Sequence, residues 1–176
     1  VDKLIYEPAE DSQLIKEQIK DYAQGLVLDM GTGSGILAKE AEKYCDKVIA
    51  VDIQEEVIAQ LKKQKNNNKI TYKVSDLFSN IKEKFDLIIF NPPYLPNDPA
   101  LKDLTLDGGK QGYEIIEKFL KKARSHLKKD GKILLLFSSL TKKKKVEELI
   151  NQNQFQYKEV AKKKLNFEEL YVYLLK

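Results

Sequence analysis

Asn91-Pro92-Pro93-Tyr94 follows directly on the apolar run FDLIIF, residues 85–90. Both prolines fix φ and neither carries an N–H, so the chain leaving this run is stiff and presents acceptors rather than donors. A rigid exit from a strand is the plain structural use of such a segment. A second cluster adds weight to a chemical use. LDMGTGSG ends an earlier apolar run, with Gly31, Gly33 and Gly35 spaced so that missing Cβ atoms let backbone N–H groups approach a ligand. Ile36 stands where the dinucleotide fingerprint G-x-G-x-x-G has its third glycine, so a pyrophosphate site fits poorly. Asp52 closes the next apolar run, where an acid in this topology accepts two ribose hydroxyls; its structural use is to cap the helix that follows. Asp29 and Asp76 also end apolar runs. Three carboxylates along one sheet edge would repel a phosphate-rich ligand and suit a cationic one, such as a sulfonium bearing an amino group.

The elements that must hold these residues alternate between short apolar runs and helix-period segments, which predicts an α/β fold. Helices are expected over 9–22, opened by Pro8 with Glu10 and Asp11 in the first turn; over 34–44; over 55–67, closed by Asn66, Asn67 and Asn68; over 111–128; and over 142–152. Strands are expected at LVLDM, KVIAVD, KITYKVS, FDLIIF and, after an Asp130-Gly131 turn, KILLLFS. FQYKEVAKKKL and ELYVYLLK alternate with period two and predict an antiparallel hairpin appended to a parallel sheet. Residues 91–110 form the one long irregular segment, and a segment of that length is usually functional. Its part from Leu95 to Lys110 is expected to act as a lid.

A single domain over 1–176 is expected, with little room for a second recognition domain. The longest apolar runs, such as ILLLF, are too short to cross a bilayer, and VDKLIYEPAED lacks the apolar core of a secretion signal, so a cytoplasmic soluble protein with no membrane role is expected. One cysteine, Cys45, and one histidine, His126, argue against an internal disulfide and against a metal cluster rich in either residue. Cys45 reads as a small apolar residue near a helix end, His126 as a helix-terminal surface residue. The net charge of +4 favours weak attraction to polyanions, yet Arg124 is the only arginine, and base-edge readers rely on bidentate arginine. The run Lys142 to Lys145 reads as a solvated helix face.

In this order the motifs resemble those of the seven-stranded class I S-adenosylmethionine-dependent methyltransferases over essentially the whole chain. They resemble more closely the HemK-like release-factor glutamine methyltransferases, in their short archaeal and eukaryotic branch. DMGTGSG is similar to that family's cofactor loop, Asp52 to its ribose acid, SDLF with Asp76 and Leu77 to its adenine-side segment, and NPPY to the signature of amino-group methyltransferases. YEPAEDS at 6–12 and LDGGKQG at 106–112 resemble two segments of the short branch. The resemblance implies a Rossmann-like, mostly parallel seven-stranded sheet with helices on both faces and S-adenosyl-L-methionine as cofactor. It implies cofactor contacts from Ser12, Asp29, Gly31, Thr32, Gly33, Gly35, Asp52, Ile53, Asp76, Leu77 and Asn91, and catalysis by Asn91, Pro92 and Tyr94.

An amide or aromatic amine nitrogen is a poor nucleophile because its lone pair is delocalised. The Asn91 side-chain oxygen and the Pro92 carbonyl can each take one N–H, in bonds that strengthen as positive charge develops on nitrogen, while Tyr94 stacks on the planar group. The substrate implied is the N5 amide of a glutamine in a peptide-chain release factor. A small zinc-ribbon activator protein, in a heterodimer, would replace the helical domain of the bacterial branch. Adenine N6 presents the same donor pair, so a DNA or RNA adenine methyltransferase is the alternative enzyme. A catalytically silent cofactor-binding scaffold is the alternative of another class.

Overall fold

The computed structural model describes residues 10–64, 68–93 and 111–176. Tyr94 and the expected lid lie outside the described residues, as do residues 6–9 of YEPAEDS and the first part of LDGGKQG. Seven strands pair into one sheet: β1 (Leu26–Met30), β2 (Lys47–Asp52), β3 (Ile70–Val74), β4 (Phe85–Phe90), β5 (Leu127–Ser138), β6 (Tyr157–Lys164) and β7 (Glu169–Leu175). Their order is β3-β2-β1-β4-β5-β7-β6. The first five run parallel, and β7 lies antiparallel between β5 and β6, the hairpin that the period-two segments predict.

Alternate residues of the central strands enter two separate cores. Val27, Val48, Leu87, Ile89, Leu134 and Leu136 pack on one face with Leu14, Ile15 and Ile19 of α1 (Glu10–Tyr22), Leu37 of α2 (Ile36–Ala41) and Leu61 of α3 (Glu55–Lys63). Leu28, Met30, Ile88, Phe90, Ile133 and Leu135 pack on the other with Ile116, Phe119 and Leu120 of α4 (Glu114–Ala123) and Val146 and Leu149 of α5 (Lys143–Gln152). A sheet buried on both faces needs apolar residues at consecutive positions, hence runs such as LIIF and ILLLF; each such side chain contributes roughly 1.5–3 kcal/mol of transfer free energy.

Three local expectations fail for tertiary reasons. The helix expected over 111–128 ends at Ala123; a 3-10 turn, Arg124–His126, follows, and β5 begins at Leu127. Leu127 is buried against Phe85, with which it pairs. Arg124 reaches over the Phe155 ring at 4.1 Å and donates to the carbonyls of Asn153 and Gln154. His126 stacks on Phe78 with 4.4 Å between centroids, so it is a packing residue rather than a bare surface one. The Asp130-Gly131 turn is instead a wide bulge within β5, for the register moves from Phe85 to Leu87 on β4 but from Leu127 to Lys132 on β5. Gly131 occupies it because a Cβ there would stand 2.6 Å from the Phe85 carbonyl oxygen. The lysine run from 142 to 145 is engaged locally: Lys143 pairs with Glu159 at 3.0 Å and Lys145 with Glu148 at 3.7 Å.

The strand order reverses between β1 and β4, which opens a crevice beyond their carboxyl ends. Pairing of Met30 with both Val51 and Phe90, and of Asp52 with Val74, brings the ends of β1, β2, β3 and β4 to one edge. No helix among the described residues is long and apolar enough to cross a membrane.

Candidate active site

The glycine turn is built from behind. Asp29 points to the α2 side of the sheet and is fully buried; its Oδ2 accepts the Thr32 hydroxyl at 2.6 Å and the Ala38 N–H at 3.0 Å. One carboxylate thus ties the strand, the turn and an otherwise unpaired amide in the first turn of α2. Its Oδ1 has no hydrogen-bond partner among the described residues. Burial pushes the Asp29 pKa up to about 7; the bonds from Thr32 and Ala38 oppose this, and the charge of Asp52 adds to it. The edge therefore carries two carboxylates, Asp52 and the exposed Asp76, and not the three expected, because Asp29 stands behind the turn.

Gly31, Gly33 and Gly35 all have positive φ. At Gly35 a Cβ would press on Leu61 at 3.0 Å, whereas at Gly33 it would meet nothing within 4 Å, so the turn is packed on its α3 side and open at Gly33. Asp52 fixes the open part: its Oδ2 accepts the Gly33 N–H at 3.0 Å and its Oδ1 the Gln54 N–H at 3.1 Å. The second bond is an Asx turn rather than a helix cap, since the residue before α3 is Gln54 and it makes no side-chain cap. Each carboxylate oxygen keeps a lone pair with which to accept a hydroxyl. Ile53, 60% exposed, stands beside it as an apolar platform.

Beyond β3, the Ser75 hydroxyl bonds to the Leu77 carbonyl at 2.7 Å and accepts the Asn80 N–H at 3.0 Å, while the Asp76 N–H donates to Ser79 at 3.0 Å. These bonds hold Leu77 at φ 47°, in the left-handed region where a leucine is strained; such strain gathers at binding segments.

At the end of β4, Phe90 packs against Phe119 with 4.4 Å between centroids, and a Cβ at Gly31 would meet the edge of the Phe90 ring at 3.8 Å. Asn91 comes next, followed by the buried Pro92. Its Nδ2 donates to Oδ2 of Asp11 at 3.1 Å, and its Oδ1, shielded from solvent, has no hydrogen-bond partner among the described residues. Asp11, buried in the first turn of α1 beside the buried Ser12, therefore reaches Asn91 from 80 residues away in sequence. The acid at 11 reads in sequence only as a helix-start signal; its spacing from Asn91 gives no sign of the contact.

These groups suit a cation that carries a ribose and an amino group: an uncovered glycine backbone, an oriented carboxylate with lone pairs to spare, and an unpaired buried oxygen behind. The sheet edge brings together Gly31, Gly33, Asp52, Ile53, Asp76 and Asn91, and α1 adds Asp11, next to which Ser12 is buried. No group of three or more His, Cys, Asp or Glu side chains among the described residues could hold a metal ion.

Residues 8–170 match the methyltransferase small domain. A protein of Methanocaldococcus jannaschii, provisionally named a protein N5-glutamine methyltransferase, is 38% identical, with 96% of this chain and 89% of that one aligned. The ribosomal RNA small subunit methyltransferase C of Actinobacillus succinogenes is 32% identical over 71% of this chain, and the release factor glutamine methyltransferase of Koribacter versatilis 37% identical over 62%. The chain spans 35% and 45% of those two proteins. Among solved structures, the E. cuniculi Mtq2–Trm112 complex, responsible for methylation of the eRF1 translation termination factor, matches with a TM-score of 0.81 at 23% identity, covering 98% of each chain. The seven-stranded Rossmann-like sheet is thus shared with known methyltransferases, and the chain belongs to the methyltransferase small-domain family.

Proposed function

We propose that the protein methylates the side-chain amide nitrogen, N5, of a glutamine in a peptide-chain release factor, with S-adenosyl-L-methionine as the methyl donor. The observation that carries this reading is the pair of acceptors at the strand reversal: the Oδ1 of Asn91, which has no partner among the described residues, and, one residue on, the carbonyl of a proline whose ring leaves no N–H to compete. Bound S-adenosyl-L-methionine supplies an electrophilic methyl group on a positively charged sulfur. Asp52 receives the ribose hydroxyls, the open face at Gly33 admits the chain that bears the sulfur, and Ile53, Asp76 and Leu77 flank the adenine. Asn91 and Pro92 would each accept one N–H of the substrate amide and so hold its nitrogen in a fixed orientation towards the methyl donor. Positive charge appears on that nitrogen as the new bond forms, so both hydrogen bonds tighten in the transition state, and the surplus proton leaves to water. Tyr94 stacks on the planar amide.

The glutamine reading is supported by the Methanocaldococcus jannaschii relative, whose name carries that activity, and by the Koribacter enzyme. A small zinc-ribbon activator, bound as a heterodimer, and a cytoplasmic location belong to the same proposal. The test is incubation with methyl-labelled S-adenosyl-L-methionine, a release factor and total RNA and DNA, followed by mass analysis of peptides and nucleosides. Label on a release-factor glutamine is expected. Methylated adenine, with the release factor unlabelled, would assign the site to nucleic acid instead, a substrate class to which the Actinobacillus relative belongs.

A further inference from the structure

We propose that Asp11 is a positioning residue for the methyl transfer: its carboxylate holds the side-chain nitrogen of Asn91 and thereby reserves the side-chain oxygen for the substrate amide. This inference rests on the role given above to Asn91 and adds to it the group that sets its orientation.

A primary amide is nearly symmetric in shape, and a half-turn about its last bond exchanges an acceptor for a donor. An Asn91 turned the wrong way would meet the substrate N–H₂ donor to donor, and the site would repel the group it must hold. An ionised carboxylate accepts only, so a partner of this kind at 3.1 Å from Nδ2 leaves one orientation favoured. Asp11 is itself held still: its other oxygen accepts the Ser12 N–H at 2.6 Å within the first turn of α1, and the residue is 3% exposed. Because the bond between carboxylate and amide is partly buried, it is stronger than one on a surface. Its counterpart is the unsatisfied Oδ1. An acceptor stored dry and unpaired is destabilising, and an entering N–H relieves that. A nitrogen held by a carboxylate and, on the same amide, an oxygen with no partner among the described residues are what a reserved acceptor requires. The segment around Asp11 is anchored as well: the Lys163 ammonium on β6 pairs with Glu10, and Leu14 and Ile15 are buried, so α1 is tied down on both sides of that residue.

Asp11→Ala and Asp11→Asn separate orientation from anchoring, because asparagine keeps size and polarity but can donate or accept. Both variants are expected to bind S-adenosyl-L-methionine within a few-fold of the parent and to lower the single-turnover rate on the release factor about tenfold to a hundredfold, with little change in KM. In an Asn91→Ala background, adding Asp11→Ala should cost nothing further, since there is no amide left to orient. A readout that needs no substrate is hydrogen exchange of the Asn91 side-chain N–H₂ in asparagine-labelled protein, identified by its loss in Asn91→Ala. Those protons should be protected in the parent and exchange at least tenfold faster in Asp11→Ala. Equal exchange in parent and variant, an equal fall on adding Asp11→Ala to Asn91→Ala, or a rate loss matched by lost cofactor affinity would each overturn the assignment. Asn91→Ala at parental rate would instead remove the reading on which it rests.

Discussion

Asp52 and Gly33 are joined by a 3.0 Å hydrogen bond from the glycine amide to the carboxylate, so the acid that ends β2 and the open point of the turn after β1 move as one piece. Replacing Asp52 by alanine removes both the ribose acceptor and the brace on the turn. S-Adenosyl-L-methionine affinity should fall by about 1.5–3 kcal/mol, tenfold to somewhat over a hundredfold, in titration calorimetry. Asp52→Asn should recover little, because one amide oxygen cannot serve both the Gly33 and the Gln54 N–H groups. Parental affinity in either variant would place the ribose elsewhere.

Two glycine substitutions should fail in opposite ways. At Gly33 a methyl group meets no protein atom within 4 Å but must accept φ +50°, so Gly33→Ala should cost only about 1 kcal/mol of stability and yet weaken cofactor binding by more than tenfold. At Gly131 the methyl strikes the Phe85 carbonyl at 2.6 Å, so Gly131→Ala should cost about 1–3 kcal/mol and leave affinity intact in the protein that folds. Urea denaturation beside calorimetry separates the two.

Asn91→Ala should keep most of the cofactor affinity and lose turnover, on the order of a hundredfold to a thousandfold in kcat, as when one oriented transition-state partner is deleted. Asn91→Asp keeps an acceptor and the shape but sets a second carboxylate against Asp11 in place of the nitrogen that Asp11 holds at 3.1 Å, so its rate should also fall below the parent's. Single-turnover assays of the parent and both variants measure it.

The raised pKa of Asp29 makes stability depend on pH in a definite direction. An ordinary carboxyl near 3.8 in the unfolded chain and about 7 in the fold means that the native state holds the proton more tightly, so this contribution is whole below pH 4 and is lost as the pH rises through 7. Asp29→Asn keeps an acceptor for Thr32 and Ala38 and cannot ionise. The stability of the variant relative to the parent should grow by a few kcal/mol between pH 4 and pH 8, read as the shift in urea midpoint; a constant difference would mean that Asp29 is ionised in the fold throughout.

Most of the sheet was legible because its strands advertise themselves: LVLDM, KVIAVD and FDLIIF are short, apolar on both faces and closed by acids or prolines. The edge that collects Gly33, Asp52, Asp76 and Asn91 follows from parallel strands ending together. What resisted reading depends on partners far away in the chain. Nothing near Ala123 stops a helix; Phe155 and Phe85, which draw Arg124 and Leu127 away, do. Nothing near Asp29 marks it as buried rather than edge-facing, since alternation along five residues does not say which face α2 will cover. Asp11 belongs to the same class, being legible only once α1 is laid across the sheet.

The antiparallel strand has a consequence for how the molecule is made. β7 lies between β5 and β6 yet follows both in the chain, so β6 has no neighbour and β5 keeps a bare edge until residues 169–175 have emerged from the ribosome. The half of the sheet that carries the glycine turn and Asn91 can pair earlier, leaving a growing chain with its crevice framed and one sticky margin open to other strands. Chaperone demand should therefore peak late in synthesis, and stop codons placed within ELYVYLL should yield chains that associate edge to edge even though every residue of the crevice is present.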